Sequence, residues 1–194
     1  KKILKKMISV CYRLLDRIDD DTNLKQDGLF RTELKRYLLS LSDFIKGKRV
    51  LDVGSGPWTW VRERFGKECD LICIDTSPHP SADIIGSVYE LDHLFSNTQP
   101  FDVVLATEVF EHLPDSLSAL KQIHGVLAPG GTLIISTPFK KDLHGEDYGD
   151  YWRITRQGWQ YLLAQSGFEL ISLSWLGEEL FPIAYFIRAE RKTL

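Results

Sequence analysis

This sequence is short of cysteine, of methionine and of long apolar runs, and each shortage removes a class of protein. Its three cysteines, Cys11, Cys69 and Cys73, form no CxxC pair and no even framework. A disulfide scaffold is therefore excluded, and free thiols in a reducing, cytoplasmic setting are expected. No stretch reaches the run of about 18 apolar residues that a membrane span needs. Internal repeats and low-complexity tracts are missing as well. Nor is there an excess of positive charge, the formal net charge being -3. That charge is uneven, with thirteen Lys/Arg against seven Asp/Glu over residues 1–50 and eleven against twenty beyond. So acidic a body lacks the basic stripe of a nucleic-acid binder, and no nucleic-acid partner is expected. What remains is a chain of 194 residues, 43% hydrophobic, enough for one sizeable core.

Residues 3–18 place Ile3, Leu4, Met7, Ile8, Cys11, Leu14, Leu15 and Ile18 at helical spacing, with lysines and arginines elsewhere on the wheel. Two readings stand: an extra helix packed on the domain, or a basic amphipathic helix making weak peripheral contact with a membrane surface. Asp19, Asp20 and Asp21 end it in a solvated loop. A second amphipathic helix follows, with Leu34, Tyr37, Leu38, Leu41, Phe44 and Ile45 as its stripe. Residues 1–47 are thus expected to be a helical extension of a main domain over 48–194.

From Lys48 short apolar runs alternate with longer segments: "RVLDV" (49–53), "DLICID" (70–75), "ADIIG" (82–86), "FDVVLAT" (101–107) and "GTLIISTP" (131–138). They are rich in Val, Ile and Leu without strict alternation, as strands buried on both faces are. Helices fit between them, most clearly over 115–127, and a further helix near 156–166 takes Thr155 as N-cap. Strands near 168–175 and 183–189 suit an antiparallel finish. This is the alternating order of an α/β, doubly wound, Rossmann-like sheet.

In such sheets ligands sit beyond the carboxyl ends of the strands. The first strand closes on Asp52 and then Gly54, Ser55 and Gly56, where glycine lets the backbone turn sharply and approach a ligand. The second closes on Asp75, about twenty residues on, where a carboxylate can accept both hydroxyls of a ribose. Together these suit an adenosine-type ligand. A pyrophosphate would need the third glycine of GxGxxG and an open helix N-terminus. Here that position is Thr59, flanked by Trp58 and Trp60, and Pro57 removes a backbone donor. S-adenosyl-L-methionine carries no phosphate, and Asp52 suits its ammonium, directly or through water.

The stretches "VLDVGSG", "CIDTS", "FDVVLATEVFEHLPD" and "ALKQIHGVLAPGGTLIISTPF" resemble, in order and spacing, the successive motifs of class I S-adenosylmethionine-dependent methyltransferases of the small-molecule type. The segment "HGEDYGDYWRITRQGWQYLLAQSGF" (144–168) further resembles a bacterial subgroup with an HG…DYWR(F)T stretch. The resemblance implies a seven-stranded sheet with its last strand antiparallel. It implies that Gly54, Ser55 and Gly56 line the methionine end, that Asp75 holds the ribose, and that Thr107 and Glu108 lie by the sulfonium. Ser87 stands where the family often has an acid for the adenine amino group, so either Ser87 or the Val88 backbone is the expected contact. Trp58 replaces a glycine common in the family; it either walls the cofactor or acceptor site or packs with Trp60 in the core.

A hydroxyl acceptor needs a general base near neutral pH. His144, His112 and Asp147 are the candidates, with Tyr148, Asp150, Tyr151 and Arg153 shaping the acceptor site. His79, His93 and His124 belong to no constellation. Glu108, Glu111 and His112 form an ExxEH string similar to one that binds a divalent cation in ubiquinone O-methyltransferases, with His144 or Asp150 as a further ligand. The alternative, in which Glu108 points toward the cofactor and the rest caps a loop, is the expected one, so no metal ligand is assigned. The expected function is methyl transfer to a small-molecule or glycan-type acceptor at oxygen. The alternative is a catalytically silent S-adenosylmethionine-binding module.

Overall fold

The computed structural model describes residues 24–193 except 142, 146, 179 and 180. The expected helix over 3–18, its membrane contact and Cys11 lie outside the described residues. Seven strands make one sheet: β1 (Arg49–Val53), β2 (Asp70–Asp75), β3 (Ile84–Ile85), β4 (Phe101–Thr107), β5 (Leu127–Pro138), β6 (Phe168–Glu178) and β7 (Phe181–Arg191). Their order is β3-β2-β1-β4-β5-β7-β6. Strands β1 to β5 pair in parallel, and β7 runs antiparallel between β5 and β6. The order reverses between β1 and β4, so Gly54 and the end of β4 flank the crevice where such sheets bind ligands.

The central strands are apolar throughout because both faces are covered. Along β4, Val104 and Ala106 enter one core, with Leu120 and Ile123 of α5 (Ser116–Val126) and Trp159 and Leu163 of α6 (Arg156–Gln165). Val103 and Leu105 enter the other, with Leu34 and Leu38 of α1 (Leu24–Ser40), Ile45 of α2 (Ser42–Ile45), and Val61 and Phe65 of α3 (Trp60–Phe65). That alternation is the two-residue period of a strand. Residues from Leu34 onward in the expected N-terminal extension thus pack in one core with the sheet. A one-turn helix, α4 (Leu91–Leu94), adds Leu91 to the first core.

The expected cap at Thr155 is present, and Asp115 caps a second helix. The Thr155 hydroxyl accepts from the Gly158 amide at 3.1 Å, and the Asp115 carboxylate accepts from the Ser118 amide at 3.0 Å. Two expectations are corrected. The single helix drawn through Leu34 and Ile45 is two, broken at Leu41. And no helix joins β2 to β3: residues 76–83 are a loop, and β3 is Ile84–Ile85 instead of a run over 82–86. Pro78 and Pro80 explain this, since each lacks an amide donor and pushes the residue before it out of the helical region.

Trp159 is fully buried with its ring edge-on to Phe110, centroids 5.1 Å apart. Trp159→Ala is expected to cost about 3–5 kcal/mol in urea denaturation. Trp159→Phe should cost far less, since the buried indole N–H has no hydrogen-bond partner among the described residues.

Candidate active site

At the carboxyl ends of β1, β2 and β4 lies a cleft of about 400 Å³. Its floor is the turn after β1. Gly54 has φ 68° and Gly56 φ 56°, both in the left-handed region that glycine alone enters without cost. A Cβ on Gly54 would stand 2.6 Å from a Val109 methyl, whereas one on Gly56 would meet nothing within 4 Å. The turn is tied to the second strand: the Gly54 amide donates to the Ile74 carbonyl at 2.9 Å, and the Gly56 amide to Asp75 Oδ2 at 2.8 Å. Asp75 Oδ1 accepts from the Ser77 amide at 3.0 Å. Each carboxylate oxygen has two lone pairs, so both keep room for a sugar hydroxyl.

Asp52 lies buried beneath the turn, 3% exposed, with Oδ1 unpartnered among the described residues and Cys73 Sγ 3.9 Å from Oδ2. Burial pushes its carboxyl up to about 7, with the like charge of Asp75 adding and Arg62 opposing. The Ser55 hydroxyl is likewise buried without a partner. Unsatisfied polar atoms around a left-handed glycine turn suit a ligand that brings its own ammonium and carboxylate, as S-adenosylmethionine does.

Across the cleft stands Glu108, which has φ 56°, a strained conformation for a residue with a side chain. Its amide donates to the Ser136 carbonyl at 3.1 Å, and the Ser136 hydroxyl donates to its Oε1 at 3.2 Å. Burial raises its carboxyl to about 7 against the pull of Lys141, whose Nζ is 3.8 Å away. Behind it Glu111 is fully buried, raised to about 8 by burial and by Glu108.

Residues 143–145 and 147–153 dock on this turn. The Tyr151 amide donates to the Glu111 carbonyl at 2.6 Å, and the Trp152 indole to the Leu113 carbonyl at 2.8 Å. His112 Nδ1 meets the Gly149 carbonyl at 2.6 Å, and His144 Nδ1 meets Asp150 Oδ2 at 3.2 Å. With an acceptor on each Nδ1, both rings present Nε2 to Glu111 Oε1, at 3.7 and 3.9 Å. Asp150 is locked by Arg153 at 2.5 and 2.7 Å, and that guanidinium holds its carboxyl well below the usual range. Burial lowers the His112 pKa, so its ring is neutral at physiological pH.

Of the residues expected from sequence, Gly54, Gly56, Asp75, Ser87, Val88, Glu108, His112 and Tyr148 line the cleft. Ser87 also caps the short 3₁₀ turn Val88–Glu90, its hydroxyl accepting from the Tyr89 amide at 3.2 Å. Thr107 ends β4, and Asp147 and Tyr151 are exposed. Asp52, Ser55, His144, Asp150 and Arg153 stand behind the lining. Trp58 does not line the cleft; it stacks on Trp60 at 5.6 Å beneath Arg31 and Lys35. Sequence reasoning missed His79, Tyr89 and Pro114, all on the lining, and the only available signal for His79 was its place just after Asp75. Glu111, His112 and His144 have donor atoms within 4.8 Å of one another, whereas the ExxEH string alone suggested Glu108 as the third donor.

A family model described as a methyltransferase domain matches residues 26–178. The chain belongs to that family, and its fold and motifs are those of the class I S-adenosylmethionine-dependent methyltransferases. It is 34% identical over 115 residues to the ubiquinone biosynthesis O-methyltransferase of Vibrio vulnificus YJ016, which covers 52% of this chain and 48% of that protein. The chain thus matches about half the length of that relative. Its fold is shared with a Burkholderia thailandensis 1,6-didemethyltoxoflavin N1-methyltransferase holding S-adenosylhomocysteine, at TM-score 0.64 and 18% identity over 99% of this chain and 88% of that one. The N-methyltransferase NodS of Bradyrhizobium japonicum WM9, also with S-adenosylhomocysteine, gives TM-score 0.61 and 18% identity over 94% and 98%. Among the described residues no helix is long and apolar enough to cross a membrane.

Burial of Asp52 makes the stability of the protein depend on pH. Its folded pKa lies above the usual carboxyl value, so its contribution to stability is complete below about pH 4 and is lost as pH rises to about 7. The unliganded protein should lose on the order of 3 kcal/mol between pH 4.5 and 8 from this group. Asp52→Asn should flatten that slope in urea melts at the two pH values.

Proposed function

We propose that this protein moves a methyl group from S-adenosyl-L-methionine to an oxygen of a small-molecule or glycan-type acceptor. One observation carries the reading: a single cleft runs from Asp75 past the Gly54–Gly56 turn to Glu108 and His112. Asp75 would hold the sugar of that nucleoside, and the Glu108 side of the cleft would take its sulfonium. The acceptor oxygen bonds the methyl carbon while the carbon–sulfur bond breaks, its electron pair passing to sulfur. The sulfonium is already reactive, so alignment is the main task of the protein, worth several kcal/mol.

The hydroxyl proton goes to His112, the neutral imidazole on the cleft wall, whose Nδ1 is fixed by Gly149 so that Nε2 is the accepting atom. His144, oriented by Asp150 and with its ring centroid 4.9 Å away, is the next group able to share that proton. Tyr148 is 62% exposed and packs on His112, offering an aromatic face to a planar or sugar acceptor. The name of the Vibrio vulnificus relative favours oxygen as the acceptor atom.

A second reading is favoured by Glu111, His112 and His144 together. Two imidazoles whose Nδ1 atoms meet an oxygen, around a buried carboxylate without a hydrogen-bond partner among the described residues, are a donor set that suits a divalent cation. Glu111, His112 and His144 would hold it, and its chemistry there would be to lower the pKa of an acceptor hydroxyl.

Two measurements separate these readings. With labelled donor and a panel of phenolic and glycan acceptors, His112→Ala should lower turnover about 10²-fold or more while affinity for S-adenosylhomocysteine stays within about twofold. Unchanged turnover removes His112 as the base. Under the base reading, chelator leaves turnover intact and calorimetry with Mn²⁺ is silent. Under the cation reading, chelator abolishes turnover, and Mn²⁺ binding is seen for the native protein but not for Glu111→Gln.

A further inference from the structure

A crossover between parallel strands ordinarily contains a helix and at least ten residues. Here β2 and β3 are joined by residues 76–83 alone, and the loop is held as a strap instead. At its base the Cys73 amide donates to Asp83 Oδ2 and the Asp83 amide to the Cys73 carbonyl, both at 2.8 Å. Arg62 grips the Ser81 carbonyl through two nitrogens at 3.0 and 2.9 Å and also pairs with the Asp83 carboxylate. The buried Ser81 hydroxyl donates to the Gly56 carbonyl, latching the strap to the glycine turn. Pro78 and Pro80 fix the backbone on either side of His79, and the Ala82 amide closes a turn on the His79 carbonyl at 3.0 Å.

The strap brings His79 onto the cleft wall beside Asp75. Its Nε2 stands 3.7 Å from Asp75 Oδ1, and the two side chains are 27% and 13% exposed. That separation is too long for a hydrogen bond between them, yet one hydroxyl oxygen can bond both. The hydroxyl has one hydrogen, which the carboxylate takes, so the shared contact uses the tautomer with Nε2–H, which donates to the hydroxyl oxygen.

We propose that His79 is a second ligand of the cofactor ribose, sharing one diol hydroxyl with Asp75. This rests on the reading that the cleft binds S-adenosylmethionine. A helix-free crossover thereby supplies a side chain that sequence reasoning assigned to no role.

The test is calorimetric titration of S-adenosylhomocysteine and its 2′-deoxy and 3′-deoxy analogues into native protein, His79→Ala and His79→Asn. His79→Ala should weaken S-adenosylhomocysteine about tenfold, the size of one hydrogen bond. One deoxy analogue should bind native protein and His79→Ala equally, because the partner hydroxyl is already gone, and His79→Asn should recover part of the loss. The melting temperature should stay within about 2 °C. Equal weakening of all three ligands would mean that His79 acts only by orienting Asp75, and unchanged affinity would mean that it does not reach the sugar; either overturns the proposal. Failure of native protein to bind S-adenosylhomocysteine would instead overturn the reading of the cleft.

Discussion

Between the first two strands the Gly56 amide donates to the Asp75 carboxylate, and the ligand side of the molecule is arranged around that bond. It needs a left-handed glycine turn at the end of β1, which brings backbone rather than side chain to the cleft floor. It needs β2 to end in register beside that turn, which the parallel pairing of Val53 with Ile74 secures. And it needs the carboxylate to face the cleft rather than solvent, which the strap over residues 76–83 enforces through Ser81 and Arg62. A carboxylate held by amides in this way is preorganised, so a sugar diol meets acceptors already in place.

On the far wall the organisation is different. There the polar groups are buried and incompletely satisfied: Glu108 sits on a strained backbone, and the Glu111 carboxylate has no hydrogen-bond partner among the described residues. Such sites are costly in a fold, and they persist where a ligand, a proton or a cation completes them. Residues 147–153 dock on the Glu111 carbonyl and fix one imidazole through Gly149 and the other through Asp150. The rigid half of the cleft suits a cofactor, and the aromatic, partly exposed half suits a variable acceptor.

Much of the fold is legible in the sequence because burial on both faces leaves a plain mark. "FDVVLAT" and "GTLIISTP" have no polar face and cannot be surface strands. Gly54, Gly56 and Asp75 are legible because their spacing carries a steric requirement as well as a chemical one. The break at Leu41 was hidden, since an amphipathic stripe reads the same through one helix or two. The missing crossover helix was signalled by Pro78 and Pro80, but strand alternation outweighed them. His79 was out of reach, because its place depends on how a loop folds back onto a strand end, which periodicity does not encode. Trp58 looked like a wall of the site from its place in the chain; its stacking on Trp60 under two cations depends on α1 lying alongside.

The central claim is that the glycine turn and Asp75 cradle a sulfonium nucleoside. A crystal structure of the protein with S-adenosylhomocysteine tests it most directly. The account predicts the ribose diol on Asp75, with the sulfur facing Glu108 and His112. A nucleoside bound elsewhere, or one in the cleft whose sugar makes no contact with Asp75, would contradict it.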